Sequence, residues 1–227
     1  MKMIKDRKGI SALLLLLSIV SGMLTGCNAV PPVGGEKAES DVPEDFLAYW
    51  LVLNDQKPFI STDEDGREFY WNEYERYLDS RADYFMIVDM DGDGEDEVVL
   101  SCSPESIGPF PWILHYEEGV VYSYRLAYMD TYGIRENGIY ERLYCGVGDV
   151  SYSRLTELNK DGYTQVEIAV YDSFRGYYEV EGKEVTGEEF RDYVRTIESA
   201  APACELEFTE DMLTKHLLQA DKEAEED

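Results

Sequence analysis

The residues of this chain best placed for chemistry are Asp89-Met90-Asp91-Gly92-Asp93-Gly94-Glu95-Asp96-Glu97, between the apolar runs Tyr84–Val88 and Val98–Leu100. Carboxylates stand at positions one, three, five and nine, with glycine at six. Calcium takes several oxygen ligands at about 2.3–2.6 Å, and a tight turn must fold those oxygens inward around one point. Asp89, Asp91 and Asp93 would each give one oxygen, Glu95 its backbone carbonyl and Glu97 a carboxylate. Gly94 lets the backbone turn back so that they converge. Without a cation the carboxylates repel one another, so ion binding and folding are coupled. Calcium is the expected cofactor.

Other chemistry finds less support. Nucleophilic catalysis needs a base beside Ser, Cys or Thr. His115 lies in an aromatic run and His216 beside Leu217, neither near a nucleophile motif. Gly-x-Ser-x-Gly, a phosphate loop and His-Glu-x-x-His are all missing. A carboxylate pair for wall-polysaccharide hydrolysis has no discriminating power in so acidic a chain. The reading is a non-catalytic protein. Ser61-Thr62-Asp63-Glu64-Asp65-Gly66 lacks alternating ligand spacing and reads as a solvated turn. Exposed tyrosines, with Trp71 or Trp112, could stack on sugars or meet a protein partner; packing across strands is the competing reading.

The loop must be held by strands. Tyr84–Val88 is continuously apolar and reads as a central strand, with Glu97–Cys102 as its hairpin partner. Further strands are expected at Trp112–Tyr116, Val120–Ala127, Ile139–Tyr144, Tyr152–Leu158, Tyr163–Tyr171, Tyr177–Val180 and Lys183–Val185. Asn137-Gly138 and Asn159-Lys160-Asp161-Gly162 supply turns. Before them, apolar residues recur at helical spacing after Asp41-Val42-Pro43 up to Asn54, and again over Glu68–Leu78. After them, Thr186-Gly187-Glu188-Glu189 is a capping box opening one helix, and Thr209 starts another. Helices at both ends of a run of strands imply an α+β fold. The expected architecture is a curved antiparallel sheet, partial barrel-like, with two N-terminal and two C-terminal helices.

The chain of 227 residues begins with a basic stretch (Lys2, Lys5, Arg7, Lys8) and an apolar core, Ile10–Met23, ending in Leu24-Thr25-Gly26-Cys27. A short apolar core followed by a polar segment marks a signal peptide over residues 1–26 rather than a spanning helix. Residues 27–42, rich in Pro, Gly and small polar side chains, read as a flexible tether. Residues 43–219 form a single α+β domain, and 220–227 an acidic disordered tail. Removing the leader takes four of the 20 Lys and Arg and one of the 48 Asp and Glu, leaving 16 against 47, a net charge of −31. That balance excludes nucleic acid, a polyanion, as a partner. Of the remaining cysteines, Cys102 and Cys145 end strand-like runs and are the favoured disulfide pair, with Cys204 left over. Close Cys or His spacing for zinc is missing.

Two resemblances follow from these residues. Leu24-Thr25-Gly26-Cys27 resembles the lipobox of bacterial lipoproteins. It implies cleavage before Cys27, a lipid on that residue and anchoring at the extracytoplasmic face of the cell membrane. Strand, D-x-D-x-D-G-x-x-E, strand is similar to the calcium hairpins of FG-GAP (integrin α-type) propeller blades, although a propeller needs repeated blades and the chain has one loop. Phe85–Leu100, the Tyr-rich strands around Ile113–Gly119 and the segment Tyr178–Phe190 resemble uncharacterised lipoproteins of Gram-positive, clostridia-like bacteria. Position twelve, a carboxylate in an EF-hand, is Leu100, so the loop is not of that type. The expectation is a monomeric, lipid-anchored surface protein with a structural calcium loop, binding a wall polysaccharide or a protein. The alternatives are a transporter's solute-binding lipoprotein and a carboxylate-dependent hydrolase.

Overall fold

The computed structural model describes residues 42–102, 110–126, 131–144 and 148–219. The expected leader, most of the tether, the tail, Cys27 and Cys145 lie outside these residues.

Strand β3 (Ala82–Val88) pairs antiparallel with β4 (Glu97–Cys102), which pairs with β5 (Phe110–Glu117), which pairs with β6 (Val120–Arg125). Two short strands, β1 (Phe59–Ser61) and β2 (Arg67–Phe69), extend this sheet beyond β6, and β13 (Leu206–Glu207) closes its other edge on β3. A second sheet runs in the order β12 (Lys183–Glu184), β11 (Tyr177–Val180), β10 (Gly162–Asp172), β9 (Asp149–Asn159), β8 (Tyr140–Tyr144) and β7 (Thr131–Tyr132).

Side-chain alternation explains how the sheets and helices stack. On β4, Val98 and Leu100 face one way and Val99 the other, and all three are fully buried. Val98 and Leu100 join Phe85, Trp112 and Leu114 in a core against helix α1 (Glu44–Leu53), helix α2 (Trp71–Leu78) and helix α4 (Glu210–Leu218). Val99 joins Met86, Val88, Ile113 and Tyr124 in a second core against Tyr140, Leu155 and Leu158 of the second sheet. The far face of that sheet, with Tyr152 and Ile168, packs on Phe190 and Ile197 of helix α3 (Gly187–Glu198). The order of layers is therefore helices, sheet, sheet, helix.

Helix α3 starts at the expected capping box. Glu189 N–H donates to Thr186 Oγ1 at 3.2 Å, and Thr186 N–H donates to the Glu189 carboxylate at 2.8 Å. Its far end is tied by Arg135, whose guanidinium donates to the carbonyls of Ala200 (2.8 Å) and Glu198 (3.3 Å).

The fold is α+β with two helices towards the N-terminus and two towards the C-terminus, as expected, although β1 and β2 lie between α1 and α2 and β13 between α3 and α4. The mostly antiparallel strands are divided between two open sheets, not closed into a barrel. With both faces of β4 apolar, helices on one face leave the other to be covered, and the second sheet covers it. The turn-rich segment after Ser61 is a short 3₁₀ turn, Thr62–Glu64, inside the β1–β2 hairpin, and β1 pairs parallel with β6.

Because Ile113 is sealed between the sheets, Ile113→Ala is expected to cost about 2–5 kcal/mol, the range for large-to-small core changes. Val166→Ala, at a side chain 38 % exposed, is expected to stay within about 0.5 kcal/mol. Urea midpoints measure both; equal shifts would contradict the layered arrangement.

Candidate metal centre

The acidic loop bridges adjacent strands whose last paired residues are Val88 and Glu97. Its own carboxylates shape it. Asp89 accepts Gly92 N–H on Oδ1 at 2.7 Å and Gly94 N–H on Oδ2 at 3.0 Å. Asp93 Oδ1 accepts Glu95 N–H at 2.8 Å, and Asp91 Oδ1 accepts Asp93 N–H at the longer 3.3 Å. Such Asx-type turns need backbone conformations that glycine adopts freely, and Gly92 and Gly94 have φ of 83° and 94°.

The ends of the loop are fastened to the core. Met90 is 1 % exposed and packs between the sheets. Its N–H donates to Glu97 Oε2 at 2.8 Å, and His115 Nδ1 lies 3.1 Å from Glu97 Oε1. Tyr49 of α1 donates its hydroxyl to the Asp96 carbonyl at 3.3 Å and accepts Tyr116 N–H at 3.0 Å. From the other side the Asn137-Gly138 turn lies against the loop backbone. A Cβ built on Gly138 would stand 2.6 Å from the Asp89 carbonyl oxygen and 2.8 Å from that of Met90.

One ligand atom from each of Asp89, Asp91 and Glu97 can be chosen so that all lie within 4.8 Å of one another. Oxygens bound to one calcium at about 2.4 Å can be no farther apart than about 4.8 Å, so this spacing suits a shared ion. Among the described residues no other such group of three occurs. Asp93 and Glu95, the other two expected ligands, have exposed side chains outside the trio. Glu95 was expected to act through its carbonyl, so its side-chain position is no obstacle. Asp93 would have to rotate inward, giving up its bond to Glu95 N–H.

The electrostatics fit a cation. Burial, then the charge of Asp93, raises the Asp91 carboxyl above its ordinary value, against N–H donors on Asp93 and Leu158. Burial likewise raises Glu97, against the His115 hydrogen bond and the Met90 N–H. For His115 burial alone would lower the pKa, but the Glu97 hydrogen bond and charge raise it overall. Crowded and desolvated carboxylates are destabilised as anions, and a cation between them would relieve that.

Sequence reasoning missed His115 as the partner of Glu97. The available signal was a single imidazole amid Trp112, Ile113, Leu114 and Tyr116, where a buried polar ring requires a partner. Trp71 and Trp112, considered as sugar platforms, are 3 % and 2 % exposed and belong to the helix-side core. Among the described residues, Tyr70, Tyr77 and Tyr84 are the tyrosines with substantial exposure. Cys102 is a buried free thiol and Cys204 an exposed one, while Cys145, the expected partner of Cys102, lies outside the described residues.

Gly138→Ala is expected to lower stability by about 1–3 kcal/mol through overpacking, in addition to roughly 1 kcal/mol of backbone strain. Gly176→Ala, also at positive φ but with open space around it, should show only the strain. Thermal melts of both variants measure the difference, and equal losses would remove the Gly138–loop contact from consideration. Comparison of the chain with protein-family models, with curated proteins and with solved structures gave no match.

Proposed function

We propose that this chain is a lipid-anchored cell-surface protein with a calcium-binding loop that clips its central hairpin, and that the folded part is a non-catalytic ligand-binding or interaction module. The convergence of Asp89, Asp91 and Glu97 at calcium-compatible spacing carries the calcium reading. The sequence before Cys27 carries the anchoring, since two or three acyl chains at about 0.8 kcal/mol per buried methylene hold a protein firmly at a bilayer. No helix among the described residues is long and apolar enough to cross a membrane. The two stacked sheets lend less support to a transporter's solute-binding protein, for which two α/β lobes are expected. Wall-polysaccharide hydrolysis rests on acidic abundance alone.

Calcium in such a role is structural. Extracellular modules bind it with Kd near 10⁻⁴–10⁻³ M, within reach of an exterior that contains the ion. At about 10 mM calcium and a Kd of about 10⁻⁴ M, linkage gives roughly 2.7 kcal/mol of stabilisation. For a domain of this size that is a rise of roughly 5–10 °C in Tm. Asp91→Ala is expected to abolish the rise. Melting curves that coincide in calcium and in chelator would end the calcium reading.

Anchoring has its own test. Cys27→Ser should lose incorporation of labelled palmitate in cells and move the protein out of the membrane fraction. Continued labelling of that variant would refute Cys27 as the lipid site.

A further inference from the structure

A cavity of about 380 Å³ opens where the two sheets part. Met86 of β3, Ser101 of β4 and Pro111 of β5 line it from the first sheet, and Thr131 of β7 from the second. The segment leading into β13 forms another wall. There Ala203 donates its N–H to the Ile134 carbonyl at 2.9 Å, and Pro202 bridges to Arg135. Met86, Ile134 and Ala203 are all buried and belong to the core between the sheets, so the floor is apolar.

Thr131 carries the observation that points to an occupant. Its side chain is 6 % exposed, and its hydroxyl has no hydrogen-bond partner. Buried polar groups are normally satisfied by protein, by water or by a bound molecule. If nothing polar ever entered here, valine would fill the same shape without an unmet hydroxyl. Turning χ1 to another staggered well moves the oxygen around Cβ, so a ligand in the cavity can draw it to itself. Ser101, half-buried, offers a second hydroxyl. Glu205, exposed, is the one charged residue among the described lining.

This combination selects a ligand. The volume is at the lower end of the usual range for small-molecule sites, so the molecule is compact. An apolar floor suits a single ring or a short branched chain. None of the described lining residues is Lys, Arg or His, so an anion would lie there uncompensated, at high cost. A cation would meet Glu205. We propose that the cavity binds a small apolar primary amine. Its hydrocarbon part lies against Met86, Ile134 and Ala203. Its ammonium, with three donors, is matched by the Thr131 and Ser101 hydroxyls and the Glu205 carboxylate. This names a ligand for the interaction module and so rests on that part of the proposed function. It requires neither calcium nor the lipid anchor.

The test is calorimetric titration of phenethylamine into the full mature chain in chelator. Saturable binding of one amine per chain is expected, with no binding of phenylacetate, the anion of similar shape, at the same concentrations. Thr131→Val keeps the shape and removes the hydroxyl. It should weaken binding about fivefold, the worth of one hydrogen bond, while leaving Tm unchanged or higher. Glu205→Gln should weaken binding about threefold, as for a solvent-exposed ion pair. Glu184→Gln, exposed and outside the lining, should leave it unchanged. Thermal melts first establish that each variant folds. Absence of saturable binding, equal affinity for phenylacetate, or full affinity in Thr131→Val would overturn the proposal. Pelleting of the same chain with purified cell walls separates the two readings. Wall binding without amine binding sinks the cavity proposal alone, and failure of both removes the wall-binding reading as well.

Discussion

Strands β3, β4 and β5 are covered on both faces, helices on one side and a second sheet on the other. Burial of each large apolar side chain contributes about 1.5–3 kcal/mol, which makes both coverings mutually necessary. The same arrangement restricts what a polar residue in these strands can do. Glu97, at the first position of β4, is 1 % exposed. An ion in such a place costs several kcal/mol unless its oxygens are satisfied. The Met90 N–H and the His115 imidazole supply that satisfaction, one on each oxygen.

From this buried carboxylate the loop acquires fixed and free parts. Glu97 is held by β5 through His115, Met90 is held between the sheets, and the Gly138 turn lies close against the Asp89 backbone. Asp89 is held in turn by two glycine N–H groups. Asp93, Glu95 and Asp96 lie on the exposed span between these anchors. An arriving ion would therefore meet three placed oxygens and recruit the rest. Ordering those remaining groups costs conformational entropy. That cost would lower the affinity of any ion bound there.

The carboxylate spacing, the capping box at Thr186 and the helix pairs at each end were all legible because each is a local pattern. Long-range partners were not. Tyr84–Val88 reads as a buried strand, but apolar alternation does not say that its second face meets another sheet. That information lies in the clustering of Val99 with residues such as Leu155 and Leu158, far apart in sequence. The β1–β2 hairpin was hidden because three-residue strands carry too little periodicity to register. Asn137-Gly138 signalled a turn, and the turn is there, yet the glycine is also required by the approach of the Asp89 and Met90 carbonyls. The role of His115 was hidden because its partner, Glu97, is 18 positions earlier.

The loop lies beside α1, whose Tyr49 hydroxyl donates to the Asp96 carbonyl, and the charge excess gives that proximity a physical meaning. Burial, then the charges of Asp89 and Asp45, raises the Asp96 carboxyl, so the loop and α1 already feel one another. An ion among Asp89, Asp91 and Glu97 would remove part of the repulsion acting on Asp96 and let it ionise more readily.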